Sequence, residues 1–108
     1  MTLYLFKILT ASIVSQSRSK GVDFIHAGMI GGYYKYPEDE TIDAVKILNQ
    51  YNVMPALSCG FNPSITQEVT DKVGINYMAN VGGHIHGHPE GTKSGALAMR
   101  NSIDNLNL

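Results

Sequence analysis

Short apolar runs alternate with helical patterns along most of this chain. Three runs rich in β-branched and aromatic residues predict strands at 22–27, 53–57 and 75–81. Each run is followed by a segment whose apolar residues recur at the three- and four-residue spacing of an amphipathic helix. Because strand and helix alternate with short connections, the pattern predicts parallel strands joined by right-handed crossovers.

Turn and capping residues mark the boundaries of the predicted helices. Pro37 is typical of a helix start, and Asn62 followed by Pro63 combines a capping side chain with proline at the first helical position. Gly74 is expected to end the second helix, and Thr92 to cap the last one. The residues expected to face the core, helix by helix, are Ile42, Val45, Leu48 and Tyr51, then Ile65 and Val69, then Ala96, Met99 and Ile103.

The N-terminal region differs from the rest. Its apolar stretch from Leu3 to Val14 is about a dozen residues long, whereas a membrane span needs roughly 20. Lys7 interrupts the stretch and polar residues follow it, which argues against a secretory signal peptide. We expect residues 1–20 to be an N-terminal helix or unrelated leader that packs on the sheet, and residues 21–108 to hold the three βα units.

Composition and charge exclude several classes of protein. The 108 residues are 44% hydrophobic and 16% charged, as in a globular domain and unlike a disordered chain. A net charge of −1 gives no reason to expect a nucleic acid or an acidic membrane as partner. The single cysteine, Cys59, has no partner for an internal disulfide and fits a reducing compartment, the cytoplasm.

The candidate chemistry lies at the carboxyl ends of the three predicted strands, where parallel β/α folds bind their ligands. His26 ends the first strand, Ser58 and Gly60 follow the second, and Gly82 and Gly83 follow the third. Paired glycines let backbone N–H groups approach an anion closely. The last two strand ends therefore predict a phosphate-binding site.

Three histidines, His84, His86 and His88, alternate within a glycine-rich segment, 82–91, that we expect to be a loop. An extended segment would place all three side chains on one face, as in a zinc or nickel site. Glycines interrupt the segment, however, so we favour a turn into the last helix, shaped by His88 and Pro89. No metal site is predicted.

Several of these segments together resemble the C-terminal barrel region of the large chain of RuBisCO, the ribulose-bisphosphate carboxylase. They run from Gly21 to Gly28, from Met54 to Gly60, from Val81 to Thr92 and from Gly95 to Arg100, in the same order and spacing. The likeness covers about residues 20–106 and is similar in character to the archaeal type and to RuBisCO-like proteins. It implies a partial TIM barrel made of three parallel βα units, with an N-terminal helix added.

The resemblance implies roles for the residues at the strand ends. His26 would bind one phosphate of a sugar bisphosphate, and Ser58 would contact the same substrate. The N–H groups of Gly82 and Gly83 would bind the other phosphate, beside Gly60.

The chain also departs from the family pattern. The family has a Gly-Lys pair in the mobile loop after the first of these strands, and its lysine assists carboxylation. Tyr33 stands at the place of that lysine, so Lys35, two positions further on, is the candidate catalytic lysine. Cys59 and His84 stand where many relatives have glycine.

Three functions remain open on the sequence alone. The chain resembles a segment of a RuBisCO-type enzyme acting on a sugar bisphosphate through an enediolate. It is also compatible with a RuBisCO-like enolase or isomerase, which Tyr33 favours, and with a non-catalytic phosphate-binding or structural remnant. The resemblance places the family's Mg²⁺ ligands on an earlier barrel strand, so we expect no cofactor and no activity from this chain alone. Self-association or a partner chain is expected to cover the open strand edges.

Overall fold

A three-stranded parallel sheet forms the centre of the protein in the computed structural model, which describes residues 12–16, 18–33, 35 and 37–108. The strands lie in chain order and are β1 (Phe24–Gly28), β2 (Met54–Leu57) and β3 (Met78–Ala79). The helices are α1 (Glu38–Gln50), α2 (Thr66–Val73), α3 (Gly82–His86) and α4 (Thr92–Asp104), with a 3₁₀ turn (Pro63–Ile65) before α2. The predicted α/β architecture with three parallel strands is confirmed.

The two faces of the sheet differ in what they contact. Phe24 pairs with Met54 across β1 and β2, and because side chains alternate along a strand, both lie on the same face as His26. Phe24 is 60% exposed on this face and Met54 36%. The opposite face, which carries Ile25, packs against α1 through Leu48. The described helices therefore gather on one side of the sheet.

Two apolar clusters fill the space between the sheet and the helices. The larger joins the sheet to α1, α2 and α4, and its buried members are Met29, Ile30, Val45, Leu57, Phe61, Val69 and Met99. The smaller contains Val14, Leu48 and Val53. Residues 12–16, 18 and 19 are helical, and Val14 is buried, which agrees with the predicted N-terminal helix over this part. Residues 1–11, where the rest of that prediction falls, lie outside the described residues.

The capping residue predicted before α2 and the glycine predicted to end it are both confirmed. The Asn62 carboxamide oxygen accepts a hydrogen bond of 2.9 Å from the Ser64 N–H, with Pro63 as the next residue. Gly74 ends the helix with φ of 84°, a left-handed backbone that glycine adopts without steric cost. Lys72 lies near this end and pairs with Glu38 of α1 at 2.7 Å. Its hydrogen bonds to the Glu38 and Glu68 carboxylates raise the pKa of its ammonium group above the ordinary value.

The third strand is much shorter than the predicted 75–81. Only Met78 and Ala79 pair with β2, opposite Ala56 and Leu57. Ile75 precedes the paired residues and is 69% exposed. As an edge strand, β3 has a partner on one side only, and that partner, β2, is four residues long. The apolar composition of residues 75–81 therefore predicted a longer paired strand than the structure has.

The predicted glycine-rich loop at 82–91 is wrong for its first half, because residues 82–86 form α3. Glycine disfavours helix, but packing against α4 outweighs that preference. A Cβ atom on Gly95 of α4 would lie 2.3 Å from the Ile85 carbonyl oxygen. The two backbones are therefore in direct contact, which only glycine at position 95 allows.

This contact also rotates α4 away from the predicted orientation. Gly95 and Met99 are buried, whereas Ala96 is exposed and Ile103 is 41% exposed. Thr92 is the first residue of the helix and makes no capping hydrogen bond. Helix α4 therefore presents Gly95 to α3, which the predicted apolar stripe of Ala96, Met99 and Ile103 did not indicate.

The first predicted stripe is correct except at its end. Val45 and Leu48 are buried and Ile42 packs on the main core, but Tyr51 follows the helix and is 37% exposed. None of the helices in the part of the chain that the structure describes has the length and apolar character needed to cross a membrane.

Candidate functional site

The carboxyl ends of β2 and β3 open into a cavity of about 280 Å³. Its lining residues are Tyr33, Ser58, Cys59, Gly60, Phe61, Asn80, Val81, Gly82, Gly83 and His84. Four of the five residues predicted to bind phosphate, Ser58, Gly60, Gly82 and Gly83, thus lie around one space. Their role in binding stays a prediction.

The turn after β2 forms one wall of the cavity through an unusual backbone conformation. Cys59 has φ of 75° and Gly60 has φ of 113°, both in the left-handed region. A Cβ atom on Gly60 would lie 2.6 Å from the Tyr33 nitrogen and 2.8 Å from the Gly32 Cα. Gly60 is therefore required by its contacts as well as by its φ angle.

The loop after β1 lies directly on this turn. The Tyr33 N–H donates a hydrogen bond of 2.9 Å to the Cys59 carbonyl oxygen. A Cβ atom on Gly32 would lie 2.2 Å from the same oxygen, so the two chain segments meet backbone to backbone. On the other side of the turn, the Asn62 carboxamide donates to the Gly60 carbonyl oxygen at 3.0 Å.

The third wall is the start of α3. The first N–H groups of a helix have no acceptor within that helix, so those of Gly82, Gly83 and His84 are free of helical bonds. No atom lies within 4 Å of a Cβ placed on Gly82. This wall therefore combines backbone N–H groups without helical acceptors and open space beside Gly82, features that suit an oxyanion.

His26 lies apart from this group. A second cavity, of about 390 Å³, is bordered by His26, Gly28, Thr41 and Leu48, although the His26 side chain lies on the opposite, open face of the sheet. β1 continues two residues beyond His26, and its register with β2 shifts between His26 and Gly28. The structure thus brings together the ends of β2 and β3 but does not bring His26 to their cavity.

Lys35 is exposed and is not among the residues that line the cavity. Tyr33, the residue that the resemblance aligns with the family's loop lysine, does line it. Cys59 is half-buried, with its sulfur 4.0 Å from the Ser58 hydroxyl.

The three histidines do not share one face, because α3 is helical where an extended segment was considered. The rings of His84 and His88 meet edge to face, with centroids 6.1 Å apart. The His88 Nδ1 accepts a hydrogen bond of 3.1 Å from the Glu90 N–H, so His88 shapes the turn before α4 as expected. In the described part of the chain, no group of three or more His, Cys, Asp or Glu side chains could hold a metal ion.

Sequence reasoning did not assign Asn80, Phe61 or His84 to the site. Asn80 follows β3 directly, so the strand-end rule that identified Ser58 would have found it. Phe61 and His84 reach the cavity only through the turn after β2 and the helical start of α3, and nothing in their spacing signals this.

Comparison with known proteins gives the same relationship in sequence and in structure. The chain is 29% identical over 118 aligned residues to ribulose bisphosphate carboxylase of Methanocaldococcus jannaschii, an alignment covering 92% of this chain. It is 32% identical over 63 residues, 58% of the chain, to 2,3-diketo-5-methylthiopentyl-1-phosphate enolase of Exiguobacterium sibiricum. No protein-family model matches the chain.

A solved RuBisCO structure has the same fold over most of this chain. The octameric enzyme of Pyrococcus horikoshii, crystallised with sulfate, superposes with a TM-score of 0.77 at 30% identity, covering 85% of this chain. The predicted resemblance is confirmed, and the three βα units match a segment of the RuBisCO barrel. The chain spans 28% of the M. jannaschii protein, 16% of the enolase and 23% of the P. horikoshii chain.

The strained turn yields a prediction about stability. Replacing Cys59 by glycine should raise the free energy of unfolding by about 1 kcal/mol, because a left-handed residue with a Cβ costs roughly 1–2 kcal/mol and glycine's extra unfolded-state entropy offsets only part of this. Urea denaturation followed by circular dichroism measures the change.

Ser58→Gly is the matched control. Ser58 has no positive φ, so glycine there brings only the entropic penalty and should lower stability by up to about 1 kcal/mol. Destabilisation of similar size in both variants would contradict the strain at Cys59.

Proposed function

We propose that this chain, which is homologous over most of its length to ribulose bisphosphate carboxylases, holds one phosphate group of a sugar bisphosphate for an enzyme of that type. One observation supports the proposal above the others. The cavity at the carboxyl ends of β2 and β3 is lined by Ser58 and Gly60 together with Gly82 and Gly83. In TIM barrels, the loops after the last two strands and a short following helix often form a phosphate site.

The physical chemistry of the cavity fits a phosphate monoester. Backbone N–H groups and the Ser58 hydroxyl are neutral donors, and hydrogen bonds from such donors to an ionised oxygen are short and strong. Gly82 and Gly83 let the phosphate approach the main chain without side-chain obstruction. Ser58 and Gly60 would orient the group from the opposite wall. His26, whose side chain lies on the open face of the sheet and outside this cavity, is proposed to contact the second phosphate of a longer ligand.

Two reactions of the homologous enzymes are candidates for the whole protein in which this segment would act. Carboxylation of ribulose bisphosphate, a lyase reaction of carbon fixation, follows from the carboxylase relatives. An enolase reaction is the second candidate, favoured by the enolase relative and by Tyr33 at the place of the family's loop lysine. Lys35 would serve the first reaction only if its loop moved it toward the cavity.

Magnesium, which the family uses, has no set of ligands among the described residues, where no suitable cluster of side chains occurs. We therefore assign no step of the reaction to a metal bound by these residues. The contribution of this chain is confined to binding and orienting the phosphate ends of the substrate.

The open sheet face is proposed to be covered by a second copy of the chain, in the cytoplasm. Phe24 and Met54 lie exposed on that face, and β1 and β3 are the sheet edges among the described strands. Unpaired edges and exposed apolar groups favour association. The P. horikoshii relative is octameric. A partner chain with further barrel strands is the alternative occupant.

A glycine substitution tests the phosphate site. Gly82→Ala should weaken binding of ribulose 1,5-bisphosphate roughly tenfold or more, because the added methyl group takes up space at a residue that lines the cavity. The fold should be unaffected, since no atom lies within 4 Å of the added Cβ. Isothermal titration calorimetry measures the affinity and thermal denaturation the stability.

Lys46→Ala, an exposed change on α1, is the control for general attraction of the anionic ligand. Equal affinities of wild type and Gly82→Ala, or no binding by wild type, would contradict the proposed site.

The purified 108-residue chain should show no carboxylase turnover with ribulose bisphosphate, magnesium and bicarbonate. The resemblance places the metal ligands on an earlier barrel strand, and the metal would stabilise the enediolate as a Lewis acid. Incorporation of labelled bicarbonate into acid-stable product measures turnover, with a full-length archaeal enzyme as positive control. Clear turnover by the chain alone would refute this expectation.

Self-association is tested at the open face. Sedimentation equilibrium should show wild type heavier than a monomer, and the double variant Phe24→Lys, Met54→Lys should shift toward monomer because two charges cannot be buried unpaired. Leu97→Lys, at a 53% exposed position on α4, is the matched control and should leave the mass unchanged. A monomeric wild type at every concentration, or an equal shift in the control, would argue against the proposal.

A further inference from the structure

We propose that the Tyr33 hydroxyl is a ligand-binding group of the cavity and donates a hydrogen bond to the anion held there. The inference rests on the proposed phosphate site and adds a residue to it. Tyr33 stands in the loop after β1, yet its side chain reaches the start of α3. A Cβ atom on Gly83 would lie only 3.5 Å from the Tyr33 hydroxyl oxygen. The side chain therefore joins two walls that are 50 residues apart in the chain.

The main chain at Tyr33 is held in place. Its N–H donates to the Cys59 carbonyl oxygen at 2.9 Å. Neither Gly32 nor Gly60 has room for a Cβ atom, so the loop and the turn after β2 pack without intervening side chains. A tyrosine fixed at its backbone loses less conformational freedom on binding a ligand than one on a free loop.

The position of the hydroxyl separates this residue from an ordinary surface tyrosine. Tyr33 is 73% exposed, so its ring contributes little to the core. Tyr33 nevertheless lines the cavity, and its hydroxyl lies beside Gly83. A phenol is both donor and acceptor, and donation to an ionised oxygen is its stronger use.

The hydroxyl gives the cavity a neutral donor beside Gly83. The other proposed donors, the Ser58 hydroxyl and the N–H groups of Gly82 and Gly83, are neutral as well. The site is thus expected to recognise a phosphate monoester by directed hydrogen bonds more than by charge. Its affinity should then depend on the single oxygen atom that distinguishes tyrosine from phenylalanine at position 33.

Tyr33→Phe in the full 108-residue chain tests the inference, because it removes only that atom. Affinity for inorganic phosphate and for ribulose 1,5-bisphosphate, measured by titration calorimetry, should fall roughly tenfold, the usual effect of losing one hydrogen bond to a charged group. Tyr51→Phe, at a 37% exposed tyrosine after α1, is the matched control and should bind like wild type. Thermal denaturation should be unchanged in both variants.

A spectroscopic measurement separates direct contact from a structural role. The chain has six tyrosines and no tryptophan, so ligand-induced ultraviolet difference absorption reports on tyrosine hydroxyls. Phosphate should produce a difference signal in wild type and Tyr51→Phe that is lost in Tyr33→Phe. Binding by wild type with unchanged affinity and signal in Tyr33→Phe would overturn this inference and leave the phosphate site standing. No phosphate binding by wild type would overturn both.

Discussion

The close contact between the loop after β1 and the turn after β2 determines the shape of the candidate site. At Gly32 and Gly60 the two main chains approach too closely for any Cβ atom, and the Tyr33 N–H bonds to the Cys59 carbonyl oxygen. This contact fixes the position of Tyr33 relative to Ser58 and so sets two sides of the cavity. Parallel strand pairing brings the third side, at Gly82, to the same edge of the sheet.

The backbone strain of this arrangement lies in the turn after β2. Cys59 adopts a left-handed backbone that disfavours every residue with a Cβ, and it does so next to a glycine with a similar φ. Strain of this kind persists where the surrounding contacts over-determine the conformation, and it is frequent at binding sites. Here the surrounding contacts are the Tyr33 hydrogen bond and the Asn62 bond to the Gly60 carbonyl oxygen.

The sheet has the arrangement expected of one part of a closed β/α barrel. Its helices cover one face, whereas Phe24 and Met54 lie exposed on the other, which in a TIM barrel is the interior face filled by layers of side chains. The superposition on a quarter of the P. horikoshii enzyme accounts for that asymmetry. The second cavity, with His26, opens beside β1, at one edge of the described sheet.

The sequence by itself determined the order and type of the main elements, the caps at Asn62 and Gly74, and the placing of Ser58, Gly60, Gly82 and Gly83 at strand ends. These follow from local propensity and from the rule that parallel strands end on one edge. Only the tertiary structure decided that residues 82–86 are helical, that α4 turns Gly95 inward, and that Tyr33 lines the cavity whereas His26 does not. The packing of α3 on α4 depends on the backbone contact of Ile85 with Gly95, and the place of Tyr33 on the backbone contact of its loop with Cys59. Such contacts leave no periodic signal in the residues that make them.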